Sequence, residues 1–330
     1  MRYREYASLT DGFSTGKLNR ITDVPRLRVG HFTVDRDRPT VLRTGVTVLR
    51  IDDVITKPVW AACNVFNGYG KSMGLVQVDE LGTMESHVFL TNTLSIGAVQ
   101  QGAVKIALRE HPGTTSFNAV VMECNDSYLS DIASLSVTDM MTIEAYDGVV
   151  EDFPMGSVGA GTGMICFGFK GGIGSSSRVI EIGGREYTLG ALVLANFGRT
   201  ADLKMPGPVD ANFEEPQKTG GSLIMVLSTD IPLLPHHLKR VARHLSLSIG
   251  ILGAPGYHGS GDIALAFSTA DRSDPQALTI GEDGSTMSQI FKASVWATVE
   301  AILDSMFSSP DMKGFRGATP SILDSIRQRL

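Results

Sequence analysis

The chain has 330 residues, of which 42% are hydrophobic, 19% charged and 7% aromatic, enough to bury a sizeable core in one large domain or two ordinary ones. A net charge of −6 without any Lys/Arg run leaves no footprint for nucleic acid. No run of 18 apolar residues occurs and the opening MRYREYASLTDGFS holds no apolar signal core, so no membrane partner and a cytoplasmic location are expected.

Residues 1–25 are polar and read as irregular, ending in a TDVP turn. TGVTVLR (44–50) and VWAACNVF (59–66) read as strands, the second apolar enough to be buried on both faces. GLVQV (74–78) reads as a further strand. A helix is expected over 95–110, with Ile96, Val99, Ala103, Ile106 and Ala107 on one face. NAVVMEC (118–124) returns to strand, and a polar helical stretch runs to about Asp147. After the glycine-rich block 156–174, residues 177–196 read as a hairpin turning at Gly183-Gly184.

Residues 199–220 are charged, proline-containing and poor in apolar side chains, and read as an exposed linker. Order resumes with the strand SLIMVLSTD (222–230) and a helix opened by Pro235, with Leu238, Val241, Ala242 and Leu245 inward. DIALAFS (262–268) is another strand. The closing helix, about 288–306, is expected to bury Ile290, Phe291, Ser294, Val295, Ala301 and Ile302. Strands often follow strands without a crossover helix, which favours helices over a two-sheet core rather than a doubly wound parallel sheet.

Several short motifs fail on their context. Gly70-Lys71-Ser72 resembles the end of a phosphate loop, but the required first glycine is Val65. Gly70-x-Ser72-x-Gly74 spells a nucleophile elbow, yet a strand rather than a helix is expected after it. GSVGAGTG (156–163) is followed by the apolar MICFGF instead of an amphipathic helix, so packing or backbone oxyanion contacts are favoured over a dinucleotide. The seven histidines show no HExxH pattern, and His236 and His237, at a helix start, read as solvent-exposed. Cys63, Cys124 and Cys166 are too widely spaced for a zinc pattern and read as reduced buried thiols. No metal is expected.

Gly220-Gly221-Ser222 carries the chemistry. Two glycines end a polar linker and a serine opens an apolar strand, so the Gly221 carbonyl is sterically open to the next residue's hydroxyl. An acyl shift followed by hydrolysis would free an N-terminal serine. Its α-amine, with an ordinary pKa of about 7.7–8.0, is suited to act as base toward its own hydroxyl. The tripeptide alone is also an ordinary turn before a strand.

The ordered segments NVFNGYGKSMGL, VVMECNDSYLSDI, GSVGAGTGMICFGFKGGIGSSSR, LVLANFG, SLIMVLSTDIPLLPHHLKRVARH and GSGDIALAFSTA resemble the L-aminopeptidase/D-esterase family, which includes the β-aminopeptidases. The resemblance spans roughly residues 17–308. It implies an α+β fold, an αββα four-layer sandwich like that of the N-terminal nucleophile hydrolases but differently connected. It also implies one domain over 1–330, autocleaved between Gly221 and Ser222 into an α chain (1–221) and a β chain (222–330). The αβ units would form a homo-oligomer, and no cofactor is implied.

By position, the resemblance makes Ser222 the nucleophile, and Ser260 and Asp262 the pair that orients it and its amine. Asn196 becomes the oxyanion donor and Glu123 the acid that receives the substrate's ammonium. Asp262 stands where some relatives have Glu. Asn125 and Ser127 follow Glu123 and are candidates for shaping the pocket, whereas Tyr128 reads as packing. Bland readings stand beside these: Ser260 and Asp262 as a turn cap, Asn196 as a strand end, Glu123 as half of a salt bridge. The expected activity is release of small L-, β- or D-alanine-type residues from peptides, amides and esters. A linear-amide hydrolase of the nylon-oligomer kind or an uncleaved binding protein of the same fold are the alternatives; the threonine nucleophile of ornithine acetyltransferases argues against that kinship.

Overall fold

The structure, a computed structural model, describes residues 1–7, 9, 11–205 and 221–327. Its main strands, in chain order, are β1 (Leu27–Arg36), β2 (Leu42–Ile51), β3 (Val59–Gly68), β4 (Ser72–Met73), β5 (Thr83–Met84), β6 (Val88–Asn92), β7 (Val120–Cys124), β8 (Gly172–Ile182), β9 (Arg185–Asn196), β10 (Gly221–Thr229) and β11 (Ser260–Ser268). The main helices are α1 (Ile96–Glu110), α2 (Asp139–Asp147), α3 (Pro235–Leu245) and α4 (Gly284–Phe307). One sheet has the order β1-β2-β6-β7-β4 and the other β8-β9-β10-β11-β3-β5.

Three apolar layers stack these elements into an αββα sandwich. Val29, Leu49, Leu90 and Met122 of the first sheet meet Leu192, Leu194, Ile224 and Leu265 of the second. The outer face of the first sheet packs Val46, Val48 and Val121 against Val99, Ala103 and Ile106 of α1 and Ala145 of α2. Val193, Met225 and Ala264 on the outer face of the second sheet meet Leu238 and Val241 of α3 and Ile290 and Ile302 of α4. Both faces of β10 are therefore covered: Leu223, Met225 and Leu227 point to the helices, Ile224 and Val226 to the facing sheet. A strand buried on two sides must be apolar throughout, as SLIMVL is.

Local signals act as expected at several boundaries. Gly183 and Gly184 turn the β8–β9 hairpin at φ 59° and 77°. Pro235 sits in the first turn of α3, and the Asp283 carboxylate caps α4 by accepting from Thr286 N–H at 2.8 Å. Cys63, Cys124 and Cys166 are buried, and no helix among the described residues is long and apolar enough to cross a membrane.

Some expectations are corrected. GLVQV is not a strand: Gly74, left-handed at φ 78°, opens a short helix, Leu75–Leu81. Val76 is 85% exposed and only Val78 is buried, so its alternation was incidental to a five-residue run. A helix thus does follow Ser72; that serine lies in the two-residue β4, bridged to Met122, rather than on an elbow. VWAACNVF is buried through Cys63 except at half-buried Trp60, but Val65 and Phe66 are exposed where β3 runs past the sheet's cover. The polar helical stretch shortens to α2, and Phe291 is half-buried, stacked on His244. His237 is buried rather than solvated, its ring lying against Gly281; His236 is exposed.

Among the described residues of the N-terminal segment, only the turns Tyr3–Tyr6 and Ile21–Asp23 are helical, but charges hold it down. Arg2 pairs with Asp304 at 2.6 Å and Arg4 with Glu300 at 2.8 Å. Glu300 and Asp11 also hold the fully buried Arg178, each at 2.7 Å. Of the expected linker, residues 206–220 lie outside the described residues.

Candidate active site

The site forms where β9, β10 and β11 begin or end together. Asn196, last in β9, is the register partner of Ser222 in antiparallel β10. Ser222 in turn lies beside Gly261 of parallel β11, which places Ser260 opposite Gly221 and Asp262 opposite Leu223. Three stretches far apart in sequence are thereby aligned at one sheet end.

Strand alternation divides these residues between two faces. Asn196 and Ser222 share the parity of Leu194 and Ile224, which face the other sheet. Ser260 and Asp262 share the parity of Ala264 and Ala266, which face the helices. Gly221 stands between. A cavity of about 240 Å³ opens on the inter-sheet side, lined by Ser222, Asn196, Glu123 and Asn125 among others. A second, of about 200 Å³, is lined by Ser260, Asp262, Tyr257 and Arg199, and both reach Gly221 and Gly259.

Ser222 is 4% exposed, and its hydroxyl donates to the Gly221 carbonyl at 2.7 Å. Its hydroxyl makes no hydrogen bond to Ser260 or Asp262; those two bond each other, Ser260 Oγ donating to Asp262 Oδ1 at 2.7 Å. Asn67 Nδ2 donates to Asp262 Oδ2 at 3.0 Å. Burial raises the Asp262 carboxyl above the usual range, opposed by the donors Ser260, Asn67 and Leu223 N–H.

Asn196 is fixed at both ends of its amide. Its oxygen accepts from Ile165 N–H at 2.9 Å, and its nitrogen donates to Asn125 O at 2.9 Å. Glu123, 2% exposed, accepts from Lys71 N–H at 2.9 Å and from the Thr93 hydroxyl. No basic side chain pairs with it among the described residues, so the salt-bridge reading lacks its cation. Tyr128, read as packing, lines the cavity wall.

The glycines of GSGD and GAGTG are explained by contact. A Cβ on Gly261 would stand 2.7 Å from Gly70 Cα, so the loop delivering Lys71 to Glu123 lies directly on the strand of Ser260 and Asp262. A Cβ on Gly163 would meet Arg43 O at 2.2 Å. The GAGTG block is packing that positions Ile165, and with it Asn196.

Sequence reasoning missed Asn67, Thr93 and Arg316. Asn67 was visible in NVFNGYGKSMGL, but its link to Asp262 depends on β3 pairing with β11. Thr93 stood in LTNTLSIGAV (90–99), a further segment that carries the family resemblance, whereas Arg316 carries no local signal. Among the described residues one three-ligand cluster has the spacing for a metal, His236, His237 and Glu282, and it lies outside this site.

The αββα layers, taken with the likenesses that follow, mark a serine aminopeptidase of the N-terminal-nucleophile kind, a hydrolase acting on peptides. The chain belongs to peptidase family S58, whose model matches residues 19–320. It is 36% identical to the β-peptidyl aminopeptidase BapA of Sphingosinicella microcystinivorans, over 92% of this chain and 85% of that one. Its fold matches the crystal structure of the PH0078 protein from Pyrococcus horikoshii OT3 with TM-score 0.91 and 40% identity, covering 99% and 97% of the two chains. It also matches the L-aminopeptidase D-Ala-esterase/amidase of Ochrobactrum anthropi, described as a variant of the Ntn hydrolase fold, with TM-score 0.89, 34% identity and 99% and 98% coverage.

Proposed function

We propose that this chain is a self-processing aminopeptidase whose nucleophile is Ser222, freed as a new N-terminus. The observation that carries the reading is the Ser222 hydroxyl lying 2.7 Å from the Gly221 oxygen at the edge of a cavity walled by Glu123. Attack of Oγ on the Gly221 carbonyl carbon forms an ester as the Gly221–Ser222 C–N bond breaks, and the hydroxyl proton passes to the departing nitrogen. Water then cleaves the ester. The products, 1–221 and 222–330, stay together because β9 and β10 remain paired along their length.

In catalysis the Ser222 amine takes the Oγ proton as the hydroxyl attacks the substrate carbonyl. The proton goes on to the leaving amine, and water hydrolyses the acyl ester. Asn196 donates to the developing oxyanion. Ser260 and Asp262, ranged along the neighbouring strand, hold and polarise the terminal amine. Glu123 receives the substrate's ammonium, and Asn125 shapes the adjacent wall. Substrates are short peptides, amides and esters beginning with a small residue of L-, β- or D-alanine type. This chemistry uses neither metal nor cofactor, and the αβ units work in the cytoplasm as a homo-oligomer, without nucleic-acid or membrane partners.

The test is alanyl-p-nitroanilide against its N-acetyl derivative, with β-alanyl and D-alanyl amides alongside. The free amine is expected to be cut and the capped compound to be poor; Glu123→Ala raises KM for the free amine. Equal hydrolysis of both would remove the ammonium site and the aminopeptidase reading.

A further inference from the structure

The cavity beside Ser222 carries charge of both signs. Glu123, held by the Lys71 N–H and the Thr93 hydroxyl, supplies the negative end. The side chains of Lys71 and Arg316 also line it, and both are exposed. Among the described residues neither side chain has a hydrogen bond or an ion pair.

Arg316 does not reach this position on a loose loop. It lies at the tip of a hairpin in which Met312 pairs with Thr319, and Gly314 N–H donates to Gly317 O at 2.8 Å. The tip is bonded to the segment following Glu123: Phe315 N–H donates to Leu129 O and Arg316 N–H to Tyr128 O, each at 2.9 Å. Its two glycines have no room for side chains. A Cβ on Gly314 would stand 2.5 Å from Leu129 Cα, and one on Gly317 would stand 2.2 Å from Tyr128 Oη. The fold thus anchors the backbone of Arg316 beside the cavity, and among the described residues no protein acceptor meets the five donors of its guanidinium.

We propose that Arg316, with Lys71 beside it, receives the C-terminal carboxylate of the substrate, so that the site selects zwitterionic peptides of dipeptide size. This rests on the aminopeptidase reading, which seats the substrate's ammonium on Glu123. The cavity's 240 Å³ falls below the roughly 300–1,000 Å³ of sites for drug-sized ligands. A cavity of that size suits a short peptide with both its charged ends close together. Guanidinium and carboxylate match as a planar two-bond fork, which an amide or ester terminus cannot reproduce. Because the carboxylate belongs to the leaving group and its charge is unchanged by the reaction, the contact acts mainly on KM.

The experiment compares kcat/KM for alanyl-alanine and alanyl-alanine amide in wild type, Arg316→Ala and Arg316→Lys. Wild type is expected to favour the free acid. Arg316→Ala lowers the acid-to-amide ratio about tenfold, the low end for a charge-assisted hydrogen bond at an exposed rim. The change is carried by KM, and Arg316→Lys restores part of it. Arg316 is exposed, so its loss leaves the core intact. A wild type that cuts both compounds, with the ratio unmoved in Arg316→Ala, overturns carboxylate selection and leaves the aminopeptidase reading standing. A wild type that cuts neither compound, nor alanyl-p-nitroanilide, overturns both.

Discussion

Asn196 and Ser222 are direct register partners across the antiparallel β9–β10 pair, and their strand parity turns both toward the space between the sheets. This one pairing brings a preorganised amide to Ser222, the proposed nucleophile. Ile165 N–H holds the amide oxygen, so the nitrogen is the donating end. Asn196→Ala is therefore expected to lower turnover by about 10²–10³, as for other single oxyanion donors. Steady-state kinetics on alanyl-p-nitroanilide would show it; unchanged turnover removes Asn196 from the site.

Asn67 acts on the site through Asp262. It supplies the 3.0 Å donor to Oδ2, one of the bonds that counter the effect of burial on that carboxyl. Without it, the carboxyl rises further and is more often protonated in acid. Asn67→Ala is expected to lose more of its kcat/KM at pH 5 than at pH 8, because the ionised Asp262 proposed to steady the amine is depleted only in acid. A loss of equal size at every pH would mark Asn67 as a purely structural residue.

The sandwich was legible where the pattern was long: β10 and α4 announce themselves by continuous burial, and the β8–β9 hairpin by its paired glycines. GLVQV was misread because five residues cannot separate a period of 2 from a short helical turn. His237 was misread because helix position alone cannot reveal that Gly281 leaves space for its ring. In the site, Ser222 stood out through its glycines and apolar strand. The reading of Asn196, Ser260, Asp262 and Glu123 came from family likeness, since bare sequence favoured a turn cap for Ser260 and Asp262 and also offered a strand end for Asn196 and a salt bridge for Glu123. Their alignment is a property of strand register, and register over such separations is not written locally.

Asp126 gives a pH dependence of stability. It is 1% exposed, beside Thr44 and Asn92, and burial pushes its carboxyl up to about 7. The ordinary value is about 3.9. Between these values the folded chain keeps a proton that the unfolded chain has released. The associated stability is full below about pH 4 and is lost as pH rises through about 7, a span worth up to about 4 kcal/mol. His31, pushed down to about 4 by burial, works in the opposite sense, costing stability as pH falls below about 6.5. Both chains share His31, so the comparison of wild type with Asp126→Asn isolates the carboxyl. Wild-type Tm is expected to fall relative to the variant from pH 5 to pH 8. A constant difference across that range contradicts the assignment.

The most direct test of the account is the covalent state of the purified protein, read by intact mass and N-terminal sequencing. Wild type is expected to yield fragments of 221 and 109 residues, the shorter beginning Ser-Leu-Ile-Met, while Ser222→Ala stays a single chain. A folded wild-type protein that remains whole and still hydrolyses alanyl-p-nitroanilide would contradict it, because no terminal serine amine would exist to serve as the base.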